Sequence, residues 1–325
     1  MKIGIVGASG EVGRMMLLSL EEFNIPVSEL RLFASIRSAG QRISYKDRLL
    51  LIDNLTEKAM KEKYDYLLFS VGSSVSYRFA PIAAEHGNTV IDNSSAFRRD
   101  SAIPLIVPEI NGDLIRDYRG IIANPNCSTI QMVLPLAALD REFRLKKVIV
   151  STYQSVSGSG HKGIAELESQ EKGSKVNKVY PREIHRNVIP QIADFRSDGY
   201  TEEEEKMRFE TNKILGRTDI LISATTVRVP VCYGHSESVY AEFENEIDFQ
   251  KAEECLRAMK SVVYLDKEYI TPLELKQANN SYVSRLRYGV DRHSLTFWNV
   301  GDNVRLGAAV NAVRILVKMM EKANS

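Results

Sequence analysis

The chain has 325 residues, enough for two hydrophobic cores and short for three. It is 44% hydrophobic and 26% charged, an ordinary soluble balance, and no stretch approaches the roughly 20 apolar residues that span a bilayer. A formal net charge of +1 leaves no field for nucleic acid or an anionic membrane, so neither is expected as a partner.

Lys2–Val6 reads as a short apolar strand running into glycines, too short and glycine-broken for a signal peptide. A helix follows from about Val12 to Phe23, then a strand at Leu30–Ala34. Tyr66–Val71 is an apolar run ending in Gly72-Ser73-Ser74, with a helix from about Ser76 to His86. Thr89–Asp92 and Gly120–Ala123 are further strands, and this alternation predicts parallel βαβ units over the first 125 residues.

Beyond Cys127 the pattern changes. Lys147–Gln154 and Ile220–Val231 are β-branched strands, Glu237–Glu244 alternates in part, and Phe249–Met259 has helical spacing. These predict an α+β domain with a mostly antiparallel sheet. Leu306–Met320 is a last apolar-faced helix, expected to return to the first domain. The expected division is an α/β, Rossmann-type dinucleotide-binding domain over 1–126, completed by 302–325, and an α+β domain over 127–301 that holds the candidate catalytic residues. Gln170–Pro181, rich in lysine and glycine, predicts a mobile loop.

Gly7-Ala8-Ser9-Gly10-Glu11-Val12-Gly13 lies between a strand and a helix as a dinucleotide fingerprint, where backbone N–H groups can approach a pyrophosphate. An NAD site places a carboxylate about 20 residues on, but this chain reads Ser35-Ile36-Arg37-Ser38-Ala39-Gly40. A cation with hydroxyls suits a 2′-phosphate, which predicts NADP.

Three widely spaced cysteines (Cys127, Cys232, Cys255) without a Cys-x-x-Cys argue against disulfides or a metal site and for a reducing compartment, the cytoplasm. Cys127, in Asn124-Pro125-Asn126-Cys127-Ser128-Thr129, lies just before a helix that the Ser128-x-x-Gln131 capping box predicts. The helix dipole there lowers a thiol's pKa and makes it a nucleophile. His235, brought close by the fold, is a candidate to take and return its proton. Arg228 and His235 flank Val229–Gly234, and Gln154 closes a strand before the flexible Ser155–Gly160. Thr201-x-x-Glu204 predicts a helix start that puts Glu203 and Lys206 on one side, a spacing that by itself fits an ordinary helix N-terminus. Cys232, Cys255 and the other histidines read as packing residues.

Taken together these motifs resemble aspartate-semialdehyde dehydrogenase along essentially the whole chain. The likeness rests on the glycine turn, Ser35-x-Arg37-Ser38-x-Gly40, Ser94-Ser95-Ala96-Phe97-Arg98 and Asn124-x-Asn126-Cys127-Ser128-Thr129. It extends through Thr152–Gly158, Arg228-Val229-Pro230-Val231-x3-His235-Ser236-Glu237-Ser238 and Asp302-Asn303. The resemblance implies NADPH-dependent reduction of L-aspartyl 4-phosphate through a cysteine thioester, within lysine, threonine, methionine and isoleucine biosynthesis. It makes Cys127 the nucleophile, His235 the acid/base and Gln154 the residue that orients the acyl intermediate. Arg228 would take the substrate carboxylate, Glu203 its amino group, Arg98 and Lys206 phosphate, with Asn126 also at the substrate. Gly7 to Val12, Ser35, Arg37, Ser38, Ser70, Gly72, Ser157, Gly158 and Asn303 would line NADP, and the protein would be a homodimer or homotetramer. Leu306 stands where the family often has lysine. N-acetyl-glutamyl-phosphate reductase, with the same chemistry on a longer substrate, usually has glycine and tyrosine around its thiol, which this chain lacks. A non-catalytic NADP-binding protein would not need both Cys127 and His235.

Overall fold

The computed structural model describes residues 1–275 and 278–321, and the chain divides into two compact units. The first comprises Met1–Asn126 with the segment from Ala308 on. Its elements are β1 (Lys2–Val6), α1 (Glu11–Glu22), β2 (Glu29–Ala34), β3 (Arg42–Tyr45), β4 (Arg48–Asn54) and α2 (Glu57–Met60). They continue with β5 (Tyr66–Phe69), α3 (Ser73–Glu85), β6 (Thr89–Asp92), α4 (Pro108–Asn111) and β7 (Ile121–Ala123). The strand order is β3-β4-β2-β1-β5-β6-β7, parallel except for the β3–β4 pair. β5 and β6 are buried along nearly their whole length, as expected of strands covered on both faces.

The β3–β4 hairpin has no counterpart in the predicted elements. Its turn is Lys46-Asp47, with Lys46 at φ 51°, so neither glycine nor asparagine marks it. The apolar run Leu49-Leu50-Leu51 also hides the two-residue alternation of a strand.

The second unit, Cys127–Gly307, contains α5 (Cys127–Phe143), β8 (Leu145–Gln154), α6 (His161–Glu171), α7 (Glu202–Leu215) and β9 (Leu221–Arg228). β10 (His235–Phe243), α8 (Phe249–Ala258), β11 (Val262–Leu265), β12 (Ser281–Tyr288) and β13 (Ser294–Gly301) complete it. The sheet runs β11-β12-β13-β10-β8-β9, with antiparallel pairs at its centre and parallel pairs at both edges. Helices α5, α7 and α8 pack on the sheet. The alternation of β8 and β9 leaves Ile149, Tyr153 and Leu221 exposed, and Trp298 lies against Tyr153 in a tilted contact at 5.5 Å between ring centroids.

Two expectations change here. α5 already includes Cys127, so Ser128 lies inside the first turn and does not cap it. The predicted loop of 170–181 instead begins inside α6, a helix the spacing did not reveal, and two buried side chains of that helix bond to the segment that follows. Glu166 accepts from the backbone N–H groups of Lys178, Val179 and Tyr180, and Gln170 accepts from those of Ile184 and His185. Two side chains thus satisfy five loop donors, which orders a polar segment with few apolar residues of its own.

A π-helical stretch, Arg305–Val310, leads into α9 (Asn311–Met320). Ala312, Val313, Ile315, Leu316 and Met319 form its buried stripe and join the core that Ile3, Met16, Leu20 and Ile91 build in the first unit.

Candidate active site

Cys127 is the first residue of the 17-residue α5, half-buried and free of any disulfide. This places it at the positive end of the helix dipole. Gly307 backs directly onto it: a Cβ there would lie 2.6 Å from Cys127 Cβ and 3.0 Å from its Cα.

Gln154, Arg228 and His235 stand at one end of neighbouring strands of the second sheet, where β8 and β9 end and β10 begins. All three are buried. His235 Nδ1 accepts from the Ser155 backbone N–H at 3.1 Å, with Ser155 Oγ also at 3.1 Å. An amide proton cannot move to suit its partner, so Nδ1 is an acceptor and the neutral ring carries its proton on Nε2. The Gly234 carbonyl also lies near the ring and favours its protonation, but the fixed Ser155 donor decides the tautomer. Nε2 is buried and has no hydrogen-bond partner. Burial first, then the Arg228 guanidinium, push the ring's pKa down to about 3, against the opposing pull of Glu203. At neutral pH the ring is uncharged.

Arg228 donates from Nη1 to the Ser155 carbonyl at 2.6 Å and lies over the Tyr180 ring. Its Nε is buried with no partner, a donor left for an incoming acceptor. Gly158 leaves room beside it, since a Cβ there would come within 2.7 Å of Nη1 and press on the guanidinium. Asn303 Oδ1 accepts from Gly234 N–H and from the hydroxyls of Ser155 and Ser157, which joins the two loops around the histidine. In the first turn of α7, Glu203 forms a 3.1 Å ion pair with Lys206. The predicted Thr201–Glu204 capping box is formed. Arg305 donates to Asn279, and Leu306 is fully buried, so that position presents no polar group where the family often has lysine.

In the first unit, Gly7 has φ 91° and a Cβ there would overlap the Ser70 carbonyl, while one at Gly13 would overlap the Gly7 carbonyl. Gly10 precedes α1 without a side-chain cap, a type of helix N-terminus suited to an anion. This is a cradle that fits a dinucleotide pyrophosphate. Gly72 precedes α3 in the same uncapped way. The turn after β2 holds Ser35 and Arg37 exposed and Ser38 half-buried. Arg98 is buried and donates to the Asn93 carbonyl, and Asn126 is buried at the end of the unit.

Comparison with known proteins bears directly on this arrangement. The family model described as semialdehyde dehydrogenase, NAD binding domain, matches residues 2–118, and the semialdehyde dehydrogenase dimerisation domain matches 136–306. An aspartate-semialdehyde dehydrogenase from Aquifex aeolicus is 45% identical, over 97% of this chain and 96% of its own. One from Campylobacter jejuni is 44% identical, over 99% and 98%. The chain belongs to the aspartate-semialdehyde dehydrogenase family. The crystal structure of aspartate semialdehyde dehydrogenase II from Vibrio cholerae, complexed with ASA, superposes with a TM-score of 0.95 at 39% identity, covering 98% of both chains.

In this semialdehyde dehydrogenase, the part that several residues play around the site is set by distant contacts and not by their sequence neighbours. Ser155, Tyr180 and Gly307 acquire their positions from contacts 80, 24 and 180 residues away in the chain. A serine after a strand and a tyrosine in a polar loop look ordinary. A glycine at the start of an apolar helix gives no local sign that it backs onto Cys127.

Proposed function

We propose that this protein converts L-aspartyl 4-phosphate to L-aspartate 4-semialdehyde with NADPH, reversibly, through a thioester on Cys127. The observation that supports this reading is a buried neutral histidine whose Nε2 has no hydrogen-bond partner, in the same compact unit as a thiol at a helix N-terminus.

The Cys127 thiolate attacks the acyl carbon, an S–C bond forms, and the C–O bond to phosphate breaks. The reduced nicotinamide, when bound, supplies the hydride for the thioester carbon. The resulting thiohemiacetal oxyanion collapses to the aldehyde and returns the thiolate. A cycle that starts from thiolate needs no base in this direction. It needs a donor for the oxyanion, and the Nε2–H of His235 supplies one. This gives the ring the donating half of the acid/base role expected from sequence, because Nδ1 is already engaged by Ser155. Neutral imidazole is an effective electrophile for a developing oxyanion.

Arg228 is assigned the substrate carboxylate through its open Nε side, Glu203 the amino group, and Arg98 and Lys206 phosphate. Gln154 orients the acyl group, and Asn126 lies at the substrate. The Gly7–Val12 cradle, Ser35, Arg37, Ser38, Ser70, Gly72, Ser157, Gly158 and Asn303 are assigned to NADP. Arg37 with two serines suits a 2′-phosphate. The active form is read as a homodimer, or a tetramer built from it, joined through the exposed Ile149, Tyr153 and Leu221 face. Three free cysteines support a cytoplasmic location. The product feeds lysine, threonine, methionine and isoleucine synthesis.

An assay with aspartate semialdehyde, NADP and phosphate tests this. Turnover should depend on all three and vanish in Cys127→Ser, which should still bind NADPH. Turnover without phosphate, or a fully active serine variant, would defeat the proposal.

A further inference from the structure

Behind the site, a buried polar cluster joins the helix of Cys127 to the strand of His235, with Glu237 Oε1 left without a hydrogen-bond partner. Gln131, one turn along α5 from Cys127, donates from Nε2 to the His235 carbonyl at 3.3 Å. Its own carbonyl accepts from Asn299 Nδ2 and Ser281 Oγ, each at 2.9 Å. Ser281 Oγ lies 2.6 Å from Asn299 Oδ1, and Asn299 Nδ2 also donates to Glu237 Oε2 at 2.9 Å. Gly301 makes room for this, since a Cβ there would come within 2.7 Å of Gln131 Oε1. Gln131, Glu237, Ser281 and Asn299 are all essentially inaccessible to solvent.

Glu237 is the unexplained member. It lies two residues from His235 on the same inward face of β10, opposite Thr152 of β8 and Asn299 of β13. The side chains facing it are Gln131 from α5, Thr152 from β8 and Asn299 from β13, with Ser281 of β12 one hydrogen bond further. These are amides and hydroxyls, and the nearest titratable group on its own strand is His235.

We propose that Glu237 is a positioning residue that locks the nucleophile helix onto the histidine strand through Asn299 and Gln131. The inference rests on the roles proposed above for Cys127 and His235. Burial, opposed only in part by the Gln131 and Asn299 amides, pushes the Glu237 carboxyl up to about 8. It is therefore the neutral acid at neutral pH. Raising the pH through that value places an uncompensated charge in the cluster, and the register between α5 and β10 loosens.

The test uses the full-length protein with Glu237→Gln and Glu237→Ala. The glutamine keeps the shape without titrating, so kcat near pH 7 should stay within about threefold of the parent, and the parent's alkaline fall near pH 8 should disappear or move upward. The alanine variant should lose kcat by roughly tenfold or more, with KM values changed less than about twofold, as expected of a misplaced reacting pair. Hydrogen exchange read by mass spectrometry should rise in the first two turns of α5 and the start of β10 in the alanine variant alone. A glutamine pH profile that superposes on the parent's, or an alanine variant with parental kcat and unchanged exchange in α5, overturns the proposal. If the parent does not turn over aspartate semialdehyde, the substrate reading fails, and the exchange measurement still decides the coupling.

Discussion

Gly307→Ala adds one methyl group to the unit that holds the nucleophile, and the structure gives its consequence. The new Cβ would meet Cys127 Cβ at 2.6 Å, Cα at 3.0 Å and the carbonyl oxygen at 3.3 Å. Carbon atoms rest at about 3.5–4.0 Å, so one element must retreat by about 1 Å. Two of the three clashing atoms are backbone, so no rotamer change relieves them. Overpacking of this kind costs about 1–3 kcal/mol of stability, and a reacting atom displaced by about 1 Å costs on the order of a hundredfold in rate. Steady-state kinetics with aspartate semialdehyde, beside a melting curve, separates these effects. The expected result is a kcat lower by about two orders of magnitude, a folded protein and little change in NADP affinity. A variant with parental kcat would refute the argument that Gly307 sets the position of the thiol.

Arg228→Lys should raise KM for aspartate semialdehyde roughly 10- to 100-fold, because an ammonium cannot reproduce the guanidinium fork; an unchanged KM contradicts carboxylate binding there. The depressed pKa of His235 makes stability pH-dependent: the unfolded ring, near 6.5, takes a proton before the folded ring, near 3, so stability falls as pH drops below 6.5. His235→Gln should remove about 2 kcal/mol of the loss between about pH 7.5 and 5 in denaturant titrations, and equal losses in both proteins would contradict a buried neutral ring. Ile149→Asp, on the exposed sheet face, should convert the proposed dimer to monomer in light scattering, and an unaltered mass would place the interface elsewhere.

The parallel sheet of the first unit was legible because its glycine turn and apolar strands carry their own local signals. Cys127, Arg228 and His235 stood out by residue type and neighbours. The tautomer of His235 did not, since it depends on a backbone N–H 80 residues away. Glu166 and Gln170 read as ordinary polar residues, and their role in ordering a lysine-rich loop appears only when five backbone donors converge on them. Glu237 belonged to a recognisable motif, but its environment is made by β13, β12 and α5, which no local pattern reports.

Mass spectrometry of the protein quenched after a single half-reaction tests the covalent route most directly. With aspartate semialdehyde and NADP but no phosphate, the peptide containing Cys127 should gain the mass of an aspartyl group, and hydroxylamine should remove it. A peptide that stays unmodified while NADPH forms would contradict the thioester mechanism.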